Sequence, residues 1–386
     1  MPVLNRIADR ADEIAEWRHD FHQHPELLYE VHRTAGKVAE MLKSFGCDEV
    51  MTGVGRTGVV GVIHGKKKGG KVLGLRADMD ALPLEEITGL PYASKTPGKM
   101  HACGHDGHTS MLLGAARHLC ETRNFAGTTV VIFQPAEEGG AGAKAMIDDG
   151  LLDRWNIQEV YGLHNYPGME VGTFAVKPGP LMAAADRIRI DIEGVGGHAA
   201  RPHKAIDTVL VGCAIVSALQ HIVSRNVDPI ESAVISIPVF QAGHADNVIP
   251  QTAHLRGTAR TFSPQVRDQL EKRIAEVVEH TAKAHGAKAT VTYKRDYPVV
   301  VNTPKEAEFA GKIAGEIVSE SHVKQAVPVM GAEDFAFMLE KRPGAFIFMG
   351  NGNSANLHHP AYDFNDKAIP FGTSYWVRLV ENAMPA

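Results

Sequence analysis

The sequence predicts an α/β fold with a second, α+β domain inserted into it. Strands and helices alternate up to about residue 164, as in three-layer domains with a largely parallel sheet. From Asp186 the order becomes β-α-β-β-α-β, which is typical of a ferredoxin-like sandwich. Histidine clusters lie on both sides of that segment, near residue 103 and at 357–360. We therefore expect residues 1–185 and 297–386 to form one domain and residues 186–296 to form the insert.

The spacing of apolar residues predicts the individual elements. Leu4–Leu42 is typical of helix with a break at Pro25, and a second helix covers Thr34–Phe45. A basic, glycine-containing turn is expected to join strands Val59–Ile63 and Val72–Leu75 as a surface hairpin. Then follow helix Thr109–Cys120, strand Thr128–Gln134, a helix around Ala141–Asp149 and strand Glu159–His164. The insert is expected to contain strand Arg187–Glu193, helix Ile206–Val223, strands Ala233–Gln241 and His254–Thr261, helix Ser263–His285 and strand Ala289–Lys294.

The composition is that of a folded protein without a polyanionic partner. Hydrophobic residues make up 44% and charged residues 22% of the 386 positions, which is enough apolar material for a core. The formal net charge of −5 is too mild to attract nucleic acid or anionic lipid. The longest apolar stretch, Val209–Val223, is interrupted by Gln220 and His221 and is shorter than the ~20 residues that a bilayer requires. We expect neither nucleic acid nor a membrane as a partner.

Two further features concern the compartment in which the chain works. The segment Met1–Trp17 is rich in charged residues and has no apolar centre, so it does not resemble a secretory signal. The 4 cysteines have irregular spacing, so we interpret each as a buried apolar residue or a ligand rather than as part of a disulfide framework. Both features favour a cytoplasmic protein.

Metal-ligating residue types are concentrated in the segment His101–His108, which reads HACGHDGH. Cysteine, histidine and carboxylate side chains bind Zn²⁺ and related borderline metals, and the small residues between them allow a tight loop around an ion. The alternative is the start of a helix capped by Asp106 or Thr109, with exposed histidines. This segment alone does not separate the two interpretations.

A pair of acids, Glu137 and Glu138, directly follows the predicted strand Thr128–Gln134. At the mouth of a sheet, one acid can bind a metal while its neighbour accepts a proton from water. Alternatively, both complement the dipole of the helix that follows. His164, which ends the next strand, and His358 add two more candidate ligands. The four sites supply Cys, His, Glu, His and His, enough for a two-metal centre if one ligand or a water bridges.

The motifs resemble, in type and in order, those of the M20 metallopeptidase family. The resemblance is to its amidohydrolase branch, which includes hippurate hydrolases, N-acyl-L-amino-acid amidohydrolases and plant auxin-conjugate hydrolases. It covers nearly the whole chain. The segments that carry it are His22–Leu27, Leu75–Pro83, His101–Ser110, Gln134–Gly140, His164–Pro167, Gly194–His203, Gly331–Phe335 and Leu357–Pro360.

The resemblance implies a zinc-peptidase-like catalytic domain that carries two divalent metal ions, with the insert as a lid and homodimerisation domain. Glu137 would be the general base. The implied metal ligands are Cys103, His105, Glu138, His164 and His358. The metal can be Zn, Mn, Ni or Co, because a thiolate favours softer ions whereas carboxylate and imidazole also accept Mn²⁺ or Ni²⁺.

The sequence departs from the wider family at one ligand position. Most M20 peptidases have His-x-Asp where this chain has Arg76-Ala77-Asp78, so the usual first histidine is absent. In this branch Cys103 takes its place. Asp78 is then either a carboxylate that orients a ligand histidine or a plain helix cap.

The start of the insert, Gly194-x-Gly196-x-x-Ala199, matches a dinucleotide-binding fingerprint in outline. Pro202 interrupts the helix that such a site needs, and no acid closes a second strand ~20 residues later, so we reject this interpretation. The resemblance implies instead that His198 reaches the active site of a partner subunit and helps to polarise the scissile carbonyl. A surface-loop histidine is the alternative.

Asn247 and Arg260 lie on what we interpret as the two arms of a β-hairpin. An amide and a guanidinium that converge there can clamp a carboxylate. The resemblance supports this role in substrate binding, and a surface arginine on a half-exposed sheet is the alternative.

These patterns lead to the hypothesis of an enzyme that hydrolyses the amide bond of N-acyl amino acids of the N-acetyl or N-benzoyl type. The chain has no Gly-x-Ser-x-Gly elbow and no His-Glu-x-x-His helix, which argues against serine-hydrolase and zincin chemistry. A dipeptidase or carboxypeptidase on the same scaffold is the first alternative. A non-catalytic metal-binding protein is the second, and Glu137 beside Glu138 argues against it because a storage site needs no base.

Overall fold

The computed structural model describes residues 3–386 as two compact units. The first unit comprises residues 3–181, 301–327 and 334–386, and the second comprises Met182–Val300 and Pro328–Glu333. The two main boundaries lie close to those expected from the sequence. Pro328–Glu333 was expected in the first domain, but it joins the second because Met182 bridges to Val329 and the Ala183 N–H donates to the Gly331 carbonyl.

The elements follow one another along the chain in three stretches. Up to residue 182 they are α1 (Asn5–Ala8), α2 (Ala11–Gln23), α3 (His32–Phe45), β1 (Glu49–Val54), β2 (Gly58–His64), β3 (Lys67–Asp78), α4 (His105–Thr122), β4 (Ala126–Gln134), α5 (Gly142–Asp148), α6 (Leu151–Arg154), β5 (Glu159–Tyr166), β6 (Phe174–Val176) and β7 (Gly179–Met182). Next come β8 (Ala184–Glu193), β9 (Gly197–His198), α7 (Thr208–Arg225), β10 (Ala233–Ala242), β11 (Val248–Ile249), β12 (Thr252–Thr261), α8 (Pro264–Ala284) and β13 (Lys288–Tyr297). The last stretch contains β14 (Val300–Asn302), α9 (Pro304–Val318), β15 (Val323–Gln325), α10 (Ala336–Leu339), β16 (Gly344–Gly350) and α11 (Ile369–Ala383).

The first unit is built on a mixed eight-stranded sheet in the order β1-β2-β4-β3-β5-β16-β6-β15. Its centre, β4-β3-β5-β16, is parallel. Strands β4, β5 and β16 are buried along most of their length, because helices cover the sheet. The carboxyl ends of these parallel strands meet at one edge, and the polar motifs of the sequence follow them there.

The predicted hairpin between Val59–Ile63 and Val72–Leu75 is wrong. Both strands exist, as β2 and β3, but β4 lies between them, antiparallel to β2 and parallel to β3. The apolar residues of β4 are fully buried, so this strand takes a central position with a neighbour on each side. The turn composition between the two strands carries no information about a strand that comes later in the chain.

The second unit has an antiparallel four-stranded sheet in the order β10-β12-β8-β13. Helices α7 and α8 pack against it and against each other. This is the strand order of the predicted ferredoxin-like sandwich. Alternate residues of β8 are buried, as expected for a sheet with one face on a core.

Helix α7 is, by length and composition alone, the one helix among residues 3–386 that could cross a membrane. Its buried residues include Val211, Ile215 and Leu219, spaced four apart. That spacing places them on one face of the helix, which packs on the sheet of the second unit. Leu210, in contrast, is 60% exposed. In this structure α7 is therefore a helix that covers a sheet with one of its faces.

Candidate metal centre

The segment that carries Cys103 and His105 forms a tight turn into α4. Gly104 has a φ of 90°, and a Cβ atom there would lie 2.3 Å from the side-chain amide of Asn165. The Asn165 amide donates to the Cys103 carbonyl over 2.7 Å. Glycine is therefore required at residue 104, and the turn brings the cysteine and the first residue of the helix to the same side.

Two buried histidines each have one ring nitrogen occupied by a main-chain carbonyl. His105 Nδ1 lies 2.8 Å from the Asp80 carbonyl, and His164 Nδ1 lies 2.7 Å from the Asn165 carbonyl. Because each Nδ1 must donate to a carbonyl, each Nε2 is left as an acceptor that can bind a metal. His105 Nε2 is buried without a hydrogen-bond partner.

The five predicted metal ligands lie together in the structure. Cys103 Sγ is 3.4 Å from His164 Nε2, and Glu138 Oε1 is 3.1 Å from His358 Nε2. Cys103, His105 and His164 form one group whose ligand atoms all lie within 4.8 Å of one another, and Cys103, Glu138 and His358 form a second. The two groups share Cys103, so the arrangement has the donors and the spacing for divalent metal ions.

His358 comes from the opposite end of the chain and is held by its backbone. Its N–H donates to the Ala102 carbonyl over 2.7 Å, and its φ of 63° is unusual for a residue with a side chain. The side chain is 55% exposed, whereas Glu138 beside it is largely buried. His358 is therefore the predicted ligand on the solvent side of the site.

The electrostatics of the site favour the binding of a cation. Burial raises the pKa of the Cys103 thiol, and Glu138 and Glu137 raise it further. Burial opposes a charge on His105, but the neighbouring carboxylates, led by Asp78, raise its pKa to about 10. A divalent ion would replace these protons, because it compensates the same carboxylates and binds the thiolate and the neutral imidazole. The donor set and the unpartnered His105 Nε2 thus fit metal ions.

Glu137 and Glu138 are placed by a third carboxylate, Asp80, to which the sequence analysis assigned no role. Asp80 accepts the Glu137 N–H over 2.9 Å and the Glu138 N–H over 3.1 Å. Since the Asp80 carbonyl also receives His105, one residue orients three parts of the site. The alternative that the two glutamates complement a helix dipole fails, because no acid lies in the first turn of α5.

Asp78 is not a helix cap. Its Oδ1 lies 2.7 Å from His108 Nδ1 and its Oδ2 accepts from Arg76 over 2.7 Å. His108 Nε2 in turn receives the N–H of Asn165 over 3.0 Å, so both its nitrogens are occupied and it is not available as a metal ligand. Arg76, which stands where most of the family has histidine, is fully buried and also bonds Gln134 and Asp334. It therefore acts as a fixed positive charge behind the metal ligands.

The alternative of a helix start capped by Asp106 or Thr109 is wrong. The N-cap residue is Gly104 and makes no side-chain hydrogen bond. Asp106 is buried and pairs instead with Arg18 at 3.1 Å and with His22 Nδ1 at 2.9 Å. Burial opposes a charge on His22, but the bond to Asp106 raises its pKa to about 9. This buried ion network ties α2 to the helix that carries His105.

The remaining predicted site residues belong to the second unit. His198 lies exposed on the two-stranded ribbon β9-β11, beside Asn247, whose carbonyl accepts the Ala199 N–H over 3.0 Å. Arg260 is half-buried on β12 and pairs in register with Val234. Asn247 lies beyond the opposite end of that hairpin, roughly 20 Å or more away at ~3.3 Å per residue. The expectation that Asn247 and Arg260 converge within one chain is therefore wrong.

Comparison with known proteins agrees with this geometry. Residues 74–382 match the model of peptidase family M20/M25/M40. The chain is 43% identical over 380 residues to the hippurate hydrolase of Campylobacter jejuni, with 98% of each chain covered. It is 44% identical over 353 residues to an N-acetyl-L-cysteine deacetylase of Bacillus subtilis, with 91% of this chain and 83% of the relative covered.

A solved Bacillus subtilis structure, described as a dinuclear metal binding peptidase from the M20 family, superimposes with a TM-score of 0.85. Its sequence is 35% identical, and the match covers 98% of this chain and 99% of that chain. The predicted fold class is confirmed, and the similarities show a hydrolytic enzyme. The chain belongs to the M20/M25/M40 peptidase family.

Proposed function

We propose that the protein hydrolyses the amide bond of N-acyl amino acids, of the N-acetyl or N-benzoyl type, to a carboxylate and a free amino acid. The observation that carries the proposal is the position of Glu137, next to a group of metal-ligating atoms from Cys103, His105, Glu138, His164 and His358, of which all but His358 are largely or fully buried. The relatives named hippurate hydrolase and N-acetyl-L-cysteine deacetylase support the same substrate class.

Two divalent ions per chain, of Zn, Mn, Ni or Co, complete the proposed site. Two groups of ligand atoms that share Cys103 support this number. When bound, the ions supply Lewis-acid polarisation and make a water molecule more acidic. The mixture of thiolate, imidazole and carboxylate donors is compatible with each of these metals.

Glu137 acts as the general base and acid in this proposal. It is 7% exposed and adjacent in sequence to the ligand Glu138, so its carboxylate can take a proton from the attacking water and return it to the leaving amine. Asp80 holds the main chain of both glutamates, which keeps the base and the ligand at a constant separation.

The second unit supplies groups to the active site of another subunit in the proposed homodimer. His198 is exposed on a ribbon and is available to donate a hydrogen bond to a developing oxyanion. Asn247 lies beside His198, whereas Arg260 lies at the other end of the hairpin. A substrate carboxylate held by both residues would therefore need one of them from each subunit. We place the enzyme in the cytoplasm, where Cys103 stays reduced.

The proposal is tested by removing the metal and by comparing substrates. Purified protein treated with a chelator should lose turnover of N-acetyl and N-benzoyl amino acids, and each candidate metal added back should restore it to a different extent. Metal content by mass spectrometry should approach two ions per chain in the active preparation. Undiminished turnover in metal-free protein contradicts the metal mechanism, and faster turnover of free dipeptides favours the dipeptidase alternative.

Glu137→Gln should abolish proton transfer while it preserves shape and metal content. We expect kcat to fall by roughly 10²-fold or more, because a positioned general base contributes about that much. Glu138→Gln is the matched control, since it should lose metal as well as activity. If Glu137→Gln loses as much metal as Glu138→Gln, then Glu137 is a ligand and not the base.

Asp80→Ala should weaken metal binding although Asp80 is not among the proposed ligands. The variant leaves the N–H groups of Glu137 and Glu138 without their acceptor, so the ligand loop loses its constraint. Loss of such an orienting group typically costs 10–100-fold in metal affinity, measurable by competition with a chromogenic chelator. Asp149→Ala, which removes the single hydrogen bond to the Gly55 N–H, serves as the control and should bind metal as the unmodified protein does. Equal affinity in all three proteins contradicts the role of Asp80.

His198→Ala tests the contribution between subunits. The variant should keep its fold and its metal while kcat falls by ~10²-fold, the scale of removing one oxyanion donor. Subunit exchange with inactive Glu137→Gln should then create heterodimers in which one of the two sites has an intact Glu137 and an intact His198. Activity should return, and each heterodimer should have up to about half the activity of the unmodified dimer. A mixture that stays inactive after proven exchange shows that His198 does not act across the interface.

A further inference from the structure

Two cysteines that are far apart in the sequence meet at one end of the first unit. Cys47 follows the carboxyl end of α3, and Cys120 lies in the last turn of α4. Their Sγ atoms are 3.5 Å apart, so one thiol hydrogen-bonds the other. Both cysteines are free, and neither belongs to the groups of candidate metal ligands found among residues 3–386.

The guanidinium of Arg123 holds these two helix ends together. Arg123 follows α4 directly, and its Nη2 donates to the Gly46 carbonyl over 2.9 Å. Its Nη1 donates to Asp48 Oδ2 over 2.7 Å and to the His64 carbonyl over 2.8 Å. Gly46 and Asp48, the two neighbours of Cys47, are thus both hydrogen-bonded to Arg123, which directly follows the helix that carries Cys120. These bonds hold the two cysteines next to each other.

One thiol of the pair favours the thiolate form, and the other is accessible from solvent. The hydrogen bond from Cys47 lowers the pKa of Cys120, and the positive charge of Arg123 lowers it further although burial opposes this. Cys120 is 8% exposed, and Cys47 is only partly buried. Cys47 is therefore the side from which a small oxidant approaches the pair, and the thiolate is the form that reacts.

We propose that Cys47 and Cys120 are a dithiol that closes to a disulfide when a small oxidant is present, and that the bond acts as a reversible latch between α3 and α4. A side-chain rotation must bring the sulfur atoms from 3.5 Å to the ~2.05 Å of an S–S bond. The link closes a loop between residues 47 and 120, which restricts the unfolded chain and stabilises the fold.

The reaction with a low-molecular-weight disulfide balances in two exchange steps. The Cys120 thiolate attacks one sulfur of the reagent, the reagent's S–S bond breaks and one thiolate leaves. That thiolate takes the proton of Cys47, and the Cys47 sulfur attacks the Cys120 sulfur of the mixed disulfide and expels the second thiolate, which is protonated. The protein loses two hydrogen atoms, which correspond to two protons and two electrons, and the reagent is reduced to two thiols.

The latch lies at the far end of α4 from the metal centre. His105 is the first residue of α4 and Cys120 lies 15 positions later (120 − 105), which corresponds to roughly 22 Å at 1.5 Å per residue. We therefore expect disulfide formation to raise the thermal midpoint while kcat/KM changes by less than about twofold. This combination separates the latch from a loss of activity through oxidation of Cys103.

The test treats the metal-loaded protein with 2-hydroxyethyl disulfide and maps peptides by mass spectrometry without reduction. A peptide pair linked through Cys47 and Cys120 should appear, with an intact mass lower by about two hydrogen atoms and a thermal midpoint higher by a few degrees. Dithiothreitol should reverse both changes. Cys47→Ser and Cys120→Ser should each remove them, and Cys213→Ser, which removes an exposed thiol in the second unit, should not.

Three results would overturn the proposal. One is a mixed disulfide on Cys120 or Cys47 without the linked peptide, under conditions in which Cys213 has reacted. Another is a rise in the thermal midpoint that persists in both serine variants. The third is a linked peptide whose formation lowers the thermal midpoint, because such a bond strains the fold rather than fastening it.

Discussion

Two hydrogen bonds to main-chain carbonyl groups set the geometry on which the metal centre depends. The carbonyls of Asp80 and Asn165 receive the Nδ1–H groups of His105 and His164, so both Nε2 atoms face the same cavity. These carbonyls lie just after β3 and within β5, which are neighbours in the parallel sheet. The register of the sheet therefore determines where the two imidazole rings meet. The helices stabilise that register, because they bury both faces of the sheet.

The balance of charges around the metal cavity follows from the same arrangement of parallel strands. Asp78, Asp80, Glu137 and Glu138 place four carboxyl groups in and behind the cavity, and three of them are fully or almost fully buried. Burial raises the pKa of Asp80, whereas the pKa of Asp78 stays well below its usual range, against the effect of burial, because His105 and Arg76 face it. Arg76 is thus the permanent counter-charge of these carboxylates. A metal ion bound in front of them would be an exchangeable counter-charge.

The sequence could predict a set of metal ligands but not the contacts that hold those residues in place. The five predicted ligands lie near strand ends, in a glycine-containing turn and in a pair of histidines, and these patterns can be read from the sequence. Asp80 could not be recognised, because it acts on the backbone N–H groups of residues 137 and 138 and no side-chain pattern reports that bond. The position of β4, the separation of Asn247 from Arg260 and the meeting of Cys47 with Cys120 all depend on long-range strand or helix pairing. Local periodicity and turn composition do not contain that information.

The predicted ligand His358 affects the stability of the fold as well as the chemistry, because it comes from a chain segment far from the other predicted ligands. It lies 255 positions after Cys103 (358 − 103), and the backbone bond to Ala102 is weak compared with coordination of a shared ion. A metal ion bound by both His358 and Cys103 would therefore be a removable cross-link between the last part of the first unit and its α4 edge. Because a ligand that binds only the folded state stabilises it, the metal-bound form should resist proteolysis for longer than the metal-free form.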